Sequence, residues 1–173
     1  MIPIREGSIT LNFPDVSNAV KYDDTPFYQK QIKKLPETKA VDVVFKCNDH
    51  SIVLLELKDF RQHRIENKGR LKNTDLAIEV AQKIRDTISG IWGARRRKDP
   101  IGIQWDQLYM NPNIRLSGIL LLEEDQNRPE LQKRVKLIRK ELKTKIENYS
   151  SFLNIRVNIM TRAEFENRYC VDR

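Results

Sequence analysis

The sequence predicts an α/β domain built on a mixed sheet, and three observations carry that expectation. Two apolar, β-branched runs, KAVDVVFKC (Lys39 to Cys47) and SIVLLELKDF (Ser51 to Phe60), flank the turn-forming Asn48–His50 and read as a hairpin. Two amphipathic stretches of helical period follow it, and each leads into a further apolar run. Helices alternating with strands behind a hairpin give a sheet with both antiparallel and parallel pairs.

Taken in order, GSITLNFP (Gly7 to Pro14) alternates as a short strand that Pro14 stops. TPFYQKQIKKL places Thr25 as N-cap and Pro26 at the first helical position of a helix running to Pro36. After the hairpin, Phe60 to Asn73 is polar, basic and irregular. Thr74 or Asp75 then caps a helix whose apolar stripe is Ala77, Val80, Ala81, Ile84 and Ile88, ending near Gly90. Ile114 to about Glu123 is a buried strand. Pro129 opens a long helix with Leu131, Val135, Ile138, Leu142 and Ile146 inward. NIRVNIM is a last strand, and Arg162 to Tyr169 a short helix.

A chain of 173 residues is expected to form one domain, 1–173, with a core that needs no staples. An apolar share of 39% beside a charged share of 32% argues for a globular chain over a disordered one. No apolar stretch reaches the length of a membrane span, and MIPIREGSIT lacks the features of a secretory signal. Two cysteines, Cys47 and Cys170, are too few for a disulfide framework or an iron–sulfur cluster, so the expected compartment is the cytoplasm. The net charge of +8 points to a polyanionic partner. Eight Lys/Arg against three Asp/Glu between Arg128 and Glu147 concentrate it, as does RRRK at Arg95 to Lys98. A solvated helix face would account for either cluster equally well.

The chemistry is concentrated in SIVLLELKDF. Side chains alternate along a strand, so Glu56 and Lys58 share one face, about 6–7 Å apart, and Leu57 points the other way. Charges buried alone are costly, so that face must be wet, paired or holding an ion. Asp42 is equally out of place among Val41, Val43 and Val44 of the partner strand. If Asp42 faces the same side as Glu56, the two carboxylates can converge on Mg²⁺ or Mn²⁺, with the Leu57 carbonyl as a further oxygen ligand. Lys58 would then hold a metal-bound water, or act as a base if burial lowers its pKa. Such parts suit metal-assisted phosphodiester hydrolysis.

Asp42 followed by Glu56-Leu57-Lys58 on the next strand resembles the PD-(D/E)XK nuclease superfamily. KYDDTPFYQKQ, KAVDVVF, LLELKDFR and EVAQKIRDT, spread over Lys21 to Thr87, look like a small bacterial branch of it. The resemblance implies a restriction-endonuclease-like αβββαβ core, Asp42 and Glu56 as metal ligands, and Lys58 as the catalytic lysine. It also implies an acid from the first helix, for which Asp23, Asp24 and Glu37 are candidates and Asp24 is taken. On the helix beside the site, Gln82 or Lys83 would orient water or phosphate. Glu-x-Lys recurs at Glu37, Glu66 and Glu141, but only Glu56 ends a buried strand with an acid on the strand before it.

Arg61, His63 and Arg64 could touch nucleic-acid backbone, as could Arg95, Arg96 and Arg97, and solvated loops explain these equally well; Lys83, on the helix, is a further candidate for backbone contact. Trp92 and Trp105 could stack on bases but are more often packing residues. With only His50 and His63 in the chain, no histidine metal cluster can form. There is no phosphate-cradling glycine loop and no Gly-x-Ser-x-Gly elbow. The expected function is metal-dependent cleavage of nucleic acid, DNA ahead of RNA, with no membrane partner and homodimerisation open by analogy. The alternatives are an inactive nucleic-acid-binding module and a protein-interaction module on the same fold.

Overall fold

The computed structural model describes residues 2–13, 19–61, 74–123 and 129–170. It is a mixed α/β structure. Strands β1 (Ile2–Glu6) and β2 (Ile9–Phe13) form a separate antiparallel hairpin, turned at Gly7, whose φ of 54° suits glycine. The main sheet has five strands in the order β3 (Ala19–Lys21), β4 (Val43–Asn48), β5 (Ser51–Asp59), β6 (Arg115–Glu123) and β7 (Arg156–Met160). β4 runs antiparallel to both of its neighbours, β3 and β5, whereas β6 and β7 run parallel to β5. The parallel pairs require crossovers, supplied by helix α1 (Thr74–Arg96) with the short α2 (Pro100–Gln104) and α3 (Gln107–Met110), and then by α4 (Pro129–Tyr149). A short α5 (Arg162–Phe165) follows β7.

Two hydrophobic clusters lie on opposite faces of the sheet. Val44, Ile52, Leu54, Leu120, Leu122 and Val157 pack against α1 and α4 through Leu76, Val80, Ile84, Leu142 and Ile146. Phe45, Val53, Leu55, Leu57, Ile119 and Leu121 pack against the N-terminal hairpin and Phe165. The period of two along β5 explains the division: its even-numbered residues meet the helices and its odd-numbered ones the hairpin. Both faces are covered, which is why the run from Ile52 to Leu55 is continuously apolar instead of alternating. Among the described residues no helix is long and apolar enough to cross a membrane.

Several elements depart from expectation. The third antiparallel strand of the main sheet is the three-residue β3, and the short strand expected within GSITLNFP is β2 of the separate hairpin. The early helix lies after β3, between it and β4, and not ahead of all three strands. Its π-helical turn, Tyr28–Ile32, stops short of Leu35, which is 70% exposed. Thr25 does cap it, its hydroxyl accepting from the Tyr28 amide at 3.3 Å. Helix α1 runs through Gly90 to Arg96 because Gly90 is a contact, not a stop: a Cβ there would lie 2.4 Å from the Tyr22 hydroxyl. The chain turns instead at Lys98, with φ 55°, and Asp99 caps α2 by accepting from the Ile101 amide. Leu142 and Ile146 are buried as predicted, Val135 and Ile138 half-buried. Pro14, His63, Arg64, most of the 60–73 segment and the Leu131 side chain lie outside the described residues.

Candidate active site

The β4–β5 register pairs Val43 with Leu55 and Val44 with Leu54, so one step further sets Asp42 opposite Glu56. Asp42 sits just ahead of β4 and is fixed from both sides. Its carbonyl accepts from the Tyr22 amide at 2.9 Å, and its Oδ2 accepts from the Leu57 amide at 2.6 Å. Leu57 therefore serves the site with its backbone while its side chain anchors the strand in the opposite cluster. Both acids are withdrawn from solvent, Asp42 at 5% exposure and Glu56 at 1%.

Helix α1 crosses this end of the sheet and brings Glu79 and Lys83, one turn apart on the same face. Glu56 Oε1 accepts from Lys83 Nζ at 2.7 Å and lies 3.0 Å from Lys58 Nζ. Lys58 Nζ donates to Glu79 Oε1 at 2.8 Å, and Lys83 Nζ also stands 3.8 Å from Asp42 Oδ1. Glu56 Oε2 is buried without a hydrogen-bond partner among the described residues. Burial, with the Glu56 charge behind it, pushes the Asp42 carboxyl up to about 7, against the opposing pull of Lys83 and the Leu57 amide. For Lys58, burial acts to lower the pKa, but Glu56 and Glu79 outweigh it and the net shift is upward. The idea that burial frees Lys58 to act as a base is therefore corrected: its two carboxylate neighbours keep it an ammonium.

A second acidic group meets the first at Asp42. Oxygens of Glu6, Asp23 and Asp42 all lie within 4.8 Å of one another. Lys21 Nζ stands 3.0 Å from Glu6 Oε2, 3.0 Å from Asp23 Oδ1 and 3.2 Å from Asp24 Oδ2. Of the acids near the early helix, Asp23 thus approaches Asp42. The Asp24 side chain is 65% exposed, and Glu37 stands in a turn with φ 63°.

The remaining candidates are dispersed. Gln82 is half-buried and makes no hydrogen bond to the cluster among the described residues. Arg61 is bound to Asp59, Nη2 to Oδ2 at 2.6 Å. Lys83 points into the acidic pair. Arg95 lies 3.7 Å from Asp106, and Arg96 and Arg97 are exposed. Trp105 is wholly buried, whereas Trp92 is 45% exposed with its ring 4.9 Å from that of Tyr109. Glu141 and Lys143, a competing Glu-x-Lys, ride on α4, with Lys143 near Glu147. Glu66 and Lys68 lie outside the described residues. Sequence reasoning missed Glu79 and Glu6. Glu79 could have been found as the residue one turn before Lys83. Glu6 carries no local signal, since only the docking of the hairpin brings it near Asp42.

No family model, curated protein or solved structure matches this chain.

Proposed function

We propose that the protein is a divalent-metal-dependent nuclease that hydrolyses nucleic-acid phosphodiester bonds on a restriction-endonuclease-like fold. The observation that carries this reading is the register that sets Asp42 opposite Glu56, with Lys58 on the same face and bonded to the same cluster. Three antiparallel strands, a crossover helix and a parallel strand beside β5 are in keeping with it. The early helix between β3 and β4 is the departure from an αβββαβ order.

The residues suit Mg²⁺ or Mn²⁺. The donors are hard carboxylate oxygens, and Glu56 Oε2 is a buried oxygen with no donor of its own among the described residues. Asp42 and Glu56 would hold the ion with the Leu57 carbonyl. When bound, it would neutralise charge on the phosphate and supply an activated water. Lys58, kept charged and anchored by Glu79, would hold and polarise the water or a phosphate oxygen. The Leu57 amide keeps Asp42 aimed into the site. Basic side chains such as Arg96 and Arg97 would meet backbone phosphates.

The test is cleavage of single-stranded, duplex and branched DNA and of RNA in Mg²⁺ or Mn²⁺. Activity should be present in the wild type and absent in folded Glu56→Gln and Lys58→Met. If the wild type cuts none of these substrates, the proposal is abandoned. One observation favours a second reading, a binding module without turnover: Lys58 and Lys83 already neutralise Glu56. In that case affinity for nucleic acid persists in Glu56→Gln and falls steeply with salt.

A further inference from the structure

Lys83 extends from α1 across the sheet end and sets its ammonium where the two principal carboxylates are nearest to it, 2.7 Å from Glu56 Oε1 and 3.8 Å from Asp42 Oδ1. Its side chain is only 16% exposed, so this is not a surface lysine that happens to lie near acids. Glu56 Oε1 has a second cation, Lys58, at 3.0 Å, but Lys58 is shared with Glu79, whose Oε1 lies 2.8 Å from it. Lys83 has carboxylate neighbours in Glu56 and Asp42, the pair assigned above to the metal. Glu56 Oε2, buried and without a donor among the described residues, shows that Lys83 leaves part of the oxygen set unsatisfied there.

We propose that Lys83 is a tethered stand-in for the divalent cation: it neutralises Asp42 and Glu56 in the metal-free protein and must swing away for the ion to enter. The inference rests on the metal-site reading above. Its physical basis is that two buried carboxylates cannot both stay ionised without a counter-charge, and that one ammonium and one divalent ion cannot share the same oxygens. A lysine can do this because its stem is flexible and its charge is a compact point, so it can leave along the helix surface. The displaced ammonium then lies at the rim of the site, where an incoming phosphate would find it. Metal entry and substrate capture are thereby linked through one side chain.

The test is Mn²⁺ binding to the full chain, measured by electron paramagnetic resonance for the wild type, Lys83→Gln, Lys83→Arg and the control Lys140→Gln. Lys140 is exposed on α4 and loses the same unit of charge. Lys83→Gln should bind Mn²⁺ about tenfold tighter or more, because the competing charge is gone, while Lys83→Arg and Lys140→Gln stay near wild type. Unchanged or weaker binding in Lys83→Gln overturns the stand-in role while leaving the metal site intact. If neither the wild type nor Lys83→Gln binds Mn²⁺ at millimolar concentration, both the stand-in role and the metal-site reading fall. Should Lys83→Gln not fold, the wild type decides alone. Its Lys83 ammonium ¹⁵N resonance should shift as Mg²⁺ is added, and a resonance unmoved at saturation overturns the proposal.

Discussion

Asp42 is costly to this fold in the absence of metal. Its folded pKa of about 7 lies above the ordinary carboxylate value, so the folded chain holds a proton that the unfolded chain releases. Stability therefore falls as pH rises from about 4 to about 7, and the penalty is fully present above that range. Asp42→Asn can keep the bond to the Leu57 amide but removes the charge. Its gain in unfolding free energy over wild type should be larger at pH 8 than at pH 5 by about 2–3 kcal/mol, read from denaturant curves in chelator. An equal gain at both pH values would mean that Asp42 carries no such strain. The three principal residues were legible because a carboxylate in a valine run and a Glu-x-Lys at the end of an apolar strand contradict their surroundings. Glu79 and Lys83 were harder to place because on an exposed helix face the same residue types occur without purpose. Only the crossing of α1 over the sheet end distinguishes them.

Among the elements, α1 is the one whose placement decides the site, and Gly90 sets how closely it lies to β3 and the early helix. Tyr22 occupies the space a side chain would need, and its hydroxyl is buried without a partner among the described residues. Gly90→Ala should destabilise the protein by about 2 kcal/mol through overpacking. Tyr22→Phe, mild by itself because it removes an unsatisfied hydroxyl, should recover part of that loss in the double variant. If the two changes are additive, the contact is not what makes position 90 a glycine. This is also where the sequence misleads: a glycine late in an amphipathic helix has the same local look as a C-terminal stop. The β4–β5 hairpin, α1, β6, α4 and β7 were readable from periodicity because each buries a full face. β1 and β3 were not: IPIRE carries a proline and two charges, and the three residues of β3 are too few to show a period, so both owe their existence to the strands they pair with.

At the scale of the molecule, the N-terminal hairpin does two things at once. It covers Val53, Leu55 and Leu57 on the sheet face away from the helices, and it carries Glu6 to the acidic end. Deleting residues 2–13 should uncover that face and abolish cooperative unfolding in a thermal melt, whereas Glu6→Gln should leave the melt cooperative. A cooperative melt in the deletion variant would show that the sheet needs no such cover. The sheet, the crossing helix and the hairpin together present two carboxylate groups that share Asp42, and in the proposed function a divalent cation is taken by Asp42 with Glu56. The most direct measurement is an anomalous difference map from crystals soaked in Mn²⁺. A peak is expected within coordination distance of Asp42 and Glu56, with Lys83 moved aside. A map with no peak there, or with density only between Glu6 and Asp23, would contradict it.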